Sequence, residues 1–252
     1  MTFRLRERGV GAVVLDIEGT TTPLAFVVDV LFPFARAHLR EYLRECRHAD
    51  AVREALARLR DEWTADVSRG DGPPEWPAGG AGGEGDDASQ SAADYLDWLM
   101  DRDRKSPGLK ALQGLIWQRG YEGGALQGQV FPDVPPALSR WRDAAVDVAI
   151  YSSGSELAQR LIFGSTAHGD LTPYFLRFFD TAVGGKTSTD SYRRITGELG
   201  RPAAAILFVS DVTTELDAAS GAGCQVLLCV RPGNRPQAAN DFVAIHSFDE
   251  IA

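Results

Sequence analysis

VVLDIEGTTTP, residues 13–23, decides how this chain is read. The apolar run Val13-Val14-Leu15 leads directly into two carboxylates, Asp16 and Glu18, and then into Gly19 and three consecutive threonines. An apolar run without polar alternation is the pattern of a central strand covered on both faces. Two acids at the end of such a strand repel each other, so the arrangement calls for a compensating cation. The hydroxyls and backbone N–H groups of residues 19–22 offer donors to an anion. The stretch therefore predicts a buried strand that delivers charge to a site.

Further runs of the same kind lie at residues 146–151, 206–209 and 225–230, with a weaker one at 178–182. Helical patterns at 156–163, 188–199 and 214–222 separate the later ones. Strands alternating with helices predict a parallel sheet with right-handed crossovers. Residues 27–128 are different, being mostly helical in pattern. Leu31, Ala35, Leu39 and Leu43 form one apolar stripe, and Val52, Leu56, Leu59 and Trp63 continue an apolar face. A second helical group covers 92–100 and 109–117. The expected fold class is α/β, a Rossmann-like parallel sheet core (residues 1–26 and 129–252) with an inserted helical cap domain (27–128). Inside the insertion, SRGDGPPEWPAGGAGGEGDDASQ, residues 68–90, reads as a long, exposed and flexible loop that could be shortened without loss. A glycine-rich phosphate cradle is the alternative there, but no P-loop lysine follows.

The bulk numbers narrow the partners. A chain of 252 residues, 44% hydrophobic and 24% charged, is ordinary globular material. Its net charge of −9 argues against nucleic acid, which selects a basic face. An anionic small molecule stays possible, because a few local cations or a metal can reverse the field within one site. Cys46, Cys224 and Cys229 in a chain of this size suggest a reducing compartment rather than a disulfide scaffold. The opening MTFRLRERGV has no apolar core, so no signal peptide is expected, nor is any run long enough to cross a membrane. A cytoplasmic protein is expected, with core and cap sufficient as a monomer.

In a parallel sheet, ligands bind at the carboxyl ends of the strands. The residues following each run therefore belong together: Asp16 and Glu18; Ser152, Ser153 and Ser155; Gly184-Gly185-Lys186; and Ser210-Asp211, with Glu215 and Asp217 shortly after. Carboxylates gathered on one edge are tolerable if a hard cation neutralises them, and oxygen ligands favour magnesium, which keeps several waters and suits a substrate phosphate. Lysine supplies a compact charge for a phosphoryl oxygen. Serine hydroxyls and the first N–H groups of the helix from Glu156 suit another. One strand-end carboxylate, ionised and metal-bound, can attack phosphorus; the other, protonated part of the time, can donate to the leaving oxygen. Such acid help is worth about 10²–10⁴ in rate.

DIEGTTTPLAFVVDVLFPFA, YSSGS, VGGKTSTDSY and FVSDVTTELDAA resemble, in order, the four motifs of the haloacid-dehalogenase-like hydrolases. Glutamate at position 18 followed by GTTTP, together with DRDRKSPGLKALQGLIWQRGY and QVFPDVPPAL, resembles more narrowly the enolase-phosphatase subfamily of methionine salvage. The likeness runs from about residue 12 to 232, interrupted mainly by 68–90. It implies Asp16 as nucleophile and magnesium ligand, and Glu18 as acid/base and further metal contact. It also implies Ser152, Ser153 and Lys186 as substrate contacts, Asp211 as the remaining metal acid, and one Mg²⁺ per chain. The implied reaction enolises 5-(methylthio)-2,3-dioxopentyl phosphate and then dephosphorylates it to the acireductone, through an enol phosphate and an aspartyl-phosphate.

Plainer readings stand beside these. Asp16 and Glu18 could form a capped turn, and Thr20, Thr21 and Thr22 could only satisfy turn backbone. Ser155 reads as a helix cap, Asp217 as the exposed turn of the next helix, the histidines as surface or packing residues, and Tyr192 and Trp117 as core. Rival activities are a phosphatase acting on another small phosphate ester without an enolase step, carbon–halogen cleavage, and a non-catalytic phospholigand sensor. Halogen cleavage needs no metal and leaves Glu18 and Asp211 unexplained; a sensor would have lost an acid that this chain retains.

Overall fold

The structure, a computed structural model, describes residues 2–77 and 86–252, the side chains of 86–88 excepted. By backbone contacts the chain divides into two compact units, Met1–Val28 with Gln127–Ala252, and Asp29–Leu126.

The first unit is built on β1 (Ala12–Leu15), whose four residues are all buried. It pairs in parallel with β2 (Asp147–Tyr151) on one side and β4 (Ile206–Ser210) on the other, so Ala12 faces both Asp147 and Ile206 in register. With β3 (Arg177–Phe179), β5 (Gln225–Cys229) and β6 (Ala244–Ile245), these strands make one six-stranded sheet in the order β3-β2-β1-β4-β5-β6. Every ladder in it is parallel. The chain lays down β1, β2 and β3 in one direction, then returns to add β4, β5 and β6 on the far side. The order thus reverses between β1 and β4, which is where an open α/β sheet places its ligand crevice.

The two faces of β1 are filled separately, as a strand's period of two requires. Ala12 and Val14 join Ala149, Tyr151, Ile206 and Phe208 in a cluster that also takes in Tyr192, Ile195, Leu216 and Ala219. Tyr192 and Ile195 come from helix Thr189–Leu199, and Leu216 and Ala219 from helix Thr213–Gly221. Val13 and Leu15 are just as deeply buried on the opposite face. Helix Val134–Asp143, which leads into β2, buries Leu138 and Trp141, and the Trp141 ring sits 5.5 Å from that of Phe248. Side chains buried to this degree each contribute about 1.5–3 kcal/mol. Helix Glu156–Gly164 follows β2 and is capped by Ser155, whose hydroxyl accepts from Ala158 N at 3.3 Å.

Among its described residues the second unit holds four α-helices, Phe32–Cys46, Asp50–Arg69, Asp86–Met100 and Pro107–Glu122. Ala35, Leu39 and Leu43 are buried along the first of these. In the next helix the buried face is Val52, Ala55, Leu59 and Asp66, so Leu56 and Trp63 lie at its margin rather than at its centre. Gly108, early in the fourth helix, packs against Leu59 so closely that a Cβ there would come within 2.5 Å of the leucine Cγ. That helix starts at Ser106, whose side chain accepts from Leu109 N, with Pro107 in its first turn.

Two expectations need correction. Residues 68–90 are not one exposed loop: Ser68 and Arg69 complete a helix that Gly70 caps at φ +76°, and residues 86–90 already belong to the next helix. Within the stretch between them, Trp76 is 2% exposed, with its ring 5.9 Å from Tyr95. Residues 78–85 lie outside the described residues. The weak strand is Arg177–Phe179 rather than 178–182, because Asp180 Oδ1 accepts from Ala182 N and turns the chain there. The two-residue β6 is too short to leave a pattern in the sequence, whereas helix Val134–Asp143, which buries Val134, Ala137, Leu138 and Trp141 at helical spacing, had a signal that was not used.

Candidate active site

Asp16 is the first residue beyond β1 and Asp211 the first beyond β4, the two strands that flank the reversal. Both are buried, at 4% and 7% exposure. Between β1 and the next helical segment the chain makes a tight turn. The N–H groups of Thr20, Thr21 and Thr22 all converge on Ile17 O at 2.9–3.1 Å, and Gly19 N donates to Thr22 O at 2.8 Å. Gly19 adopts φ +74°, and a Cβ there would lie 2.6 Å from Asp211 Oδ2. Glycine is therefore required twice over, by the backbone and by the approaching carboxylate. Thr21 Oγ1 donates to Asp16 O at 3.1 Å, which ties the turn to the strand end. The hydroxyls of Thr20 and Thr22 are buried without a partner.

Lys186 reaches this point from the loop after β3. Its ammonium donates to Asp16 Oδ1 and lies 2.7 Å from Glu215 Oε2. The lysine is held at its backbone as well, since Tyr192 Oη donates to Lys186 O at 2.7 Å. Ser191 Oγ donates to Gly185 O at 2.8 Å and Tyr151 Oη to Gly184 O at 2.9 Å, fixing the two glycines before it. Glu215, in the first turn of its helix, also accepts from Ser210 Oγ at 2.9 Å. So the sequence's Lys186 and Glu215 are partners through the space above β1 and β4.

The electrostatics follow from burial and like charge. Burial opposes the charged form of Lys186, but Asp16 and Glu215 outweigh it and raise its pKa above the ordinary lysine value. Asp211 is pushed up to about 7 by burial, then by the charges of Asp16 and Glu215. Glu215 is shifted upward too, by burial first and Asp16 next, with Lys186 pulling the other way. Three acids against one ammonium leave negative charge that a cation would relieve. Among the described residues no group of three or more His, Cys, Asp or Glu could hold a metal ion by itself. Magnesium asks for less, being commonly bound by one or two carboxylates with waters and substrate phosphate completing its shell. Asp16 and Asp211 fit that requirement.

The remaining predicted residues fall around the same edge. Ser152 directly follows β2, is 3% exposed, and accepts from Gly154 N at 3.1 Å, which leaves its hydroxyl hydrogen to donate elsewhere. Ser153 is half-buried beside it, and Glu18, also half-buried, is bridged through its backbone to Thr22. Asp217 points to solvent, as do His38, His48, His168 and His246, whereas Tyr192 and Trp117 are core.

Two residues at this edge had not been expected. Arg231, just past β5, donates from Nε to Thr20 O at 3.2 Å, from Nη1 to His246 O at 3.0 Å and from Nη2 to Asp133 Oδ2 at 2.8 Å. Asn234 Nδ2 donates to Gly19 O at 2.9 Å and to Cys229 O at 3.2 Å. The rule that selected the other strand ends, applied to the run at 225–230, points to both.

Comparison with known proteins agrees with this geometry. Residues 10–223 match the family model of haloacid dehalogenase-like hydrolases. The enolase-phosphatase E1 of Synechococcus elongatus is 46% identical over 94% of this chain and 95% of its own length. That of Klebsiella oxytoca is 42% identical over 95% and 96%. A Populus trichocarpa protein named as a probable bifunctional methylthioribulose-1-phosphate dehydratase/enolase-phosphatase E1 is 46% identical over 95% of this chain, which matches 46% of that longer protein. Among solved structures, the unknown transcript 4 protein of Saccharomyces cerevisiae superposes with a TM-score of 0.74 at 30% identity, over 95% of this chain and 99% of that one. With strand-end acids, lysine and sheet order in place, the chain belongs to the haloacid dehalogenase-like hydrolases and, among them, to the enolase-phosphatase E1 family.

Proposed function

We propose that this protein is a magnesium-dependent enolase-phosphatase that converts 5-(methylthio)-2,3-dioxopentyl phosphate to the acireductone and inorganic phosphate, in methionine salvage. The observation that carries the reading is the Asp16–Lys186–Glu215 group at the point where the strand order reverses. Relatives named enolase-phosphatase E1 over nearly the whole chain supply the substrate class.

In this reading Asp16 is the nucleophile. One of its carboxylate oxygens bonds to phosphorus while the bond from phosphorus to the enol oxygen breaks, and Glu18 gives that oxygen its proton. Glu18 then takes a proton from the water that hydrolyses the aspartyl-phosphate, which returns both residues to their starting state. An ammonium has three N–H donors; Asp16 and Glu215 engage two of those on Lys186, and the third is the one offered to a phosphoryl oxygen. Ser152 and Ser153 donate to the same group from the end of β2. Asp16, Asp211 and Glu18 would hold a magnesium ion, one per chain, which when bound would neutralise charge and polarise the substrate oxygens. The four-helix unit is assigned the part of a cap domain, in keeping with its insertion after the first strand.

Purified protein given the dioxopentyl phosphate should show a transient enol absorbance followed by phosphate release, both dependent on Mg²⁺. Phosphate release with no enol signal would assign the chain to a different phosphate ester, and turnover that survives EDTA would remove the metal from the scheme.

A further inference from the structure

We infer that Asn234 is a positioning residue of the cation site. Its amide nitrogen holds the turn after β1, and its carboxamide oxygen accepts a hydrogen bond from a water bound to the cation. The inference rests on the magnesium reading given above and adds a residue to it.

The orientation of the Asn234 amide is fixed by its neighbours. Gly19 O and Cys229 O, 2.9 and 3.2 Å from one end, are acceptors only, so that end must be the nitrogen. Oδ1 therefore lies at the other end, where it is closed off from solvent and has no hydrogen-bond partner in the protein. It faces the catalytic turn. The position a Cβ would take on Gly19 is 2.8 Å from Asn234 Oδ1 and 2.6 Å from Asp211 Oδ2. Two acceptor oxygens thus flank the same side of Gly19. Acceptors so placed need a donor or a cation between them, since a buried acceptor left unsatisfied costs about 1–3 kcal/mol.

The company Oδ1 keeps points the same way. Among the described residues, the buried unpartnered polar atoms outside aromatic rings and phenols are Thr20 Oγ1, Thr22 Oγ1, Gln159 Oε1 and Asn234 Oδ1. Thr20 and Thr22 belong to the turn that Asn234 grips, and Gln159 donates to Gly154 O at the end of β2. Of the five buried oxygens without a partner among the described residues, four thus lie where the ligand is expected; the fifth, Tyr121 Oη, is in the helical unit. Magnesium sheds its waters reluctantly, so a residue that accepts from such a water is a natural neighbour for it. Outer residues of this kind typically matter 10–100-fold to metal affinity.

The test is Mg²⁺ binding to the full chain, measured by titration calorimetry and by the Mg²⁺-dependent rise in unfolding temperature, for wild type, Asn234→Ala and Asn234→Asp. Asn234→Ala should weaken Mg²⁺ binding by about 10–100-fold. Asn234→Asp keeps the oxygen and loses the amide donor, and should bind Mg²⁺ at least as tightly as wild type. Equal affinity in wild type and the alanine variant overturns the inference. So does an aspartate variant as weak as alanine, the pattern of a residue that only clamps backbone; this comparison with wild type decides even where the alanine variant does not fold. A wild-type protein that binds no Mg²⁺ brings down the underlying reading, and is recognised before any variant is made.

Discussion

Lys186 Nζ donates to Asp16 Oδ1, joining two side chains separated by 170 positions of sequence. The contact places the candidate nucleophile against a buried cation that also meets Glu215. It explains how several acids share one strand edge.

Asp16→Asn removes the proposed nucleophile while keeping an oxygen that Lys186 can reach. Phosphate release should fall by about four orders of magnitude or more, as loss of a nucleophile typically does. The unfolding temperature should change little. Retained turnover in this variant would take the nucleophilic role away from Asp16.

Lys186→Met leaves Asp16 and Glu215 buried beside each other without their ammonium. Removing one partner of a buried ion pair commonly costs about 3–5 kcal/mol. Urea unfolding of the metal-free variant should show a loss of that order, and added Mg²⁺ should restore part of it. A loss below the error of the measurement would mean that the pair contributes nothing to the fold.

With Asp211 as a ligand of the proposed cation, stability and metal binding should both depend on pH. Its folded-state pKa is pushed up to about 7 by burial and by Asp16 and Glu215, against an ordinary value of 3.8. Between those values the folded chain holds a proton that the unfolded chain has lost, so the metal-free protein should lose stability as pH rises from about 4 to about 7. Mg²⁺ requires the ionised carboxylate, so its affinity should climb about tenfold per pH unit up to about pH 7 and then level off. Calorimetry at pH 5.5, 6.5 and 7.5 checks both. An affinity that does not vary with pH would exclude Asp211 as the group that gives up the proton.

Trp76 makes part of the Gly- and Pro-rich stretch structural. Its ring meets Trp63 edge-on and Tyr95 at a tilt, Arg60 donates to its carbonyl at 2.6 Å, and Trp63 Nε1 donates to Pro74 O at 2.8 Å. Trp76→Ala should cost about 3–5 kcal/mol, the usual range for emptying a buried aromatic site. Deleting residues 71–77 should destabilise the chain comparably, contrary to the expectation that the stretch is dispensable. Thermal unfolding of either variant at the wild-type temperature would show that the tryptophan is not held.

Local sequence marked the central strands β1, β2, β4 and β5 and the residues that follow them, but not β6 or the extent of β3. A buried parallel strand writes itself locally, as a short apolar run, and Asp16, Ser152 and Asp211 each follow such a run directly, so their arrival at one edge could be read without coordinates. Tertiary structure decided what touches what. The grip of Arg231 on Thr20 O and of Asn234 on Gly19 O spans more than 200 residues, and nothing in local periodicity encodes it. Asp66 shows the same thing in the helical unit: placed on an apolar stripe, it is buried because Tyr95 and Arg104 come to it from 29 and 38 residues away. Backbone preference and burial act over a few residues and leave a pattern in the sequence, whereas the pairing of polar groups depends on where the crossovers return the chain.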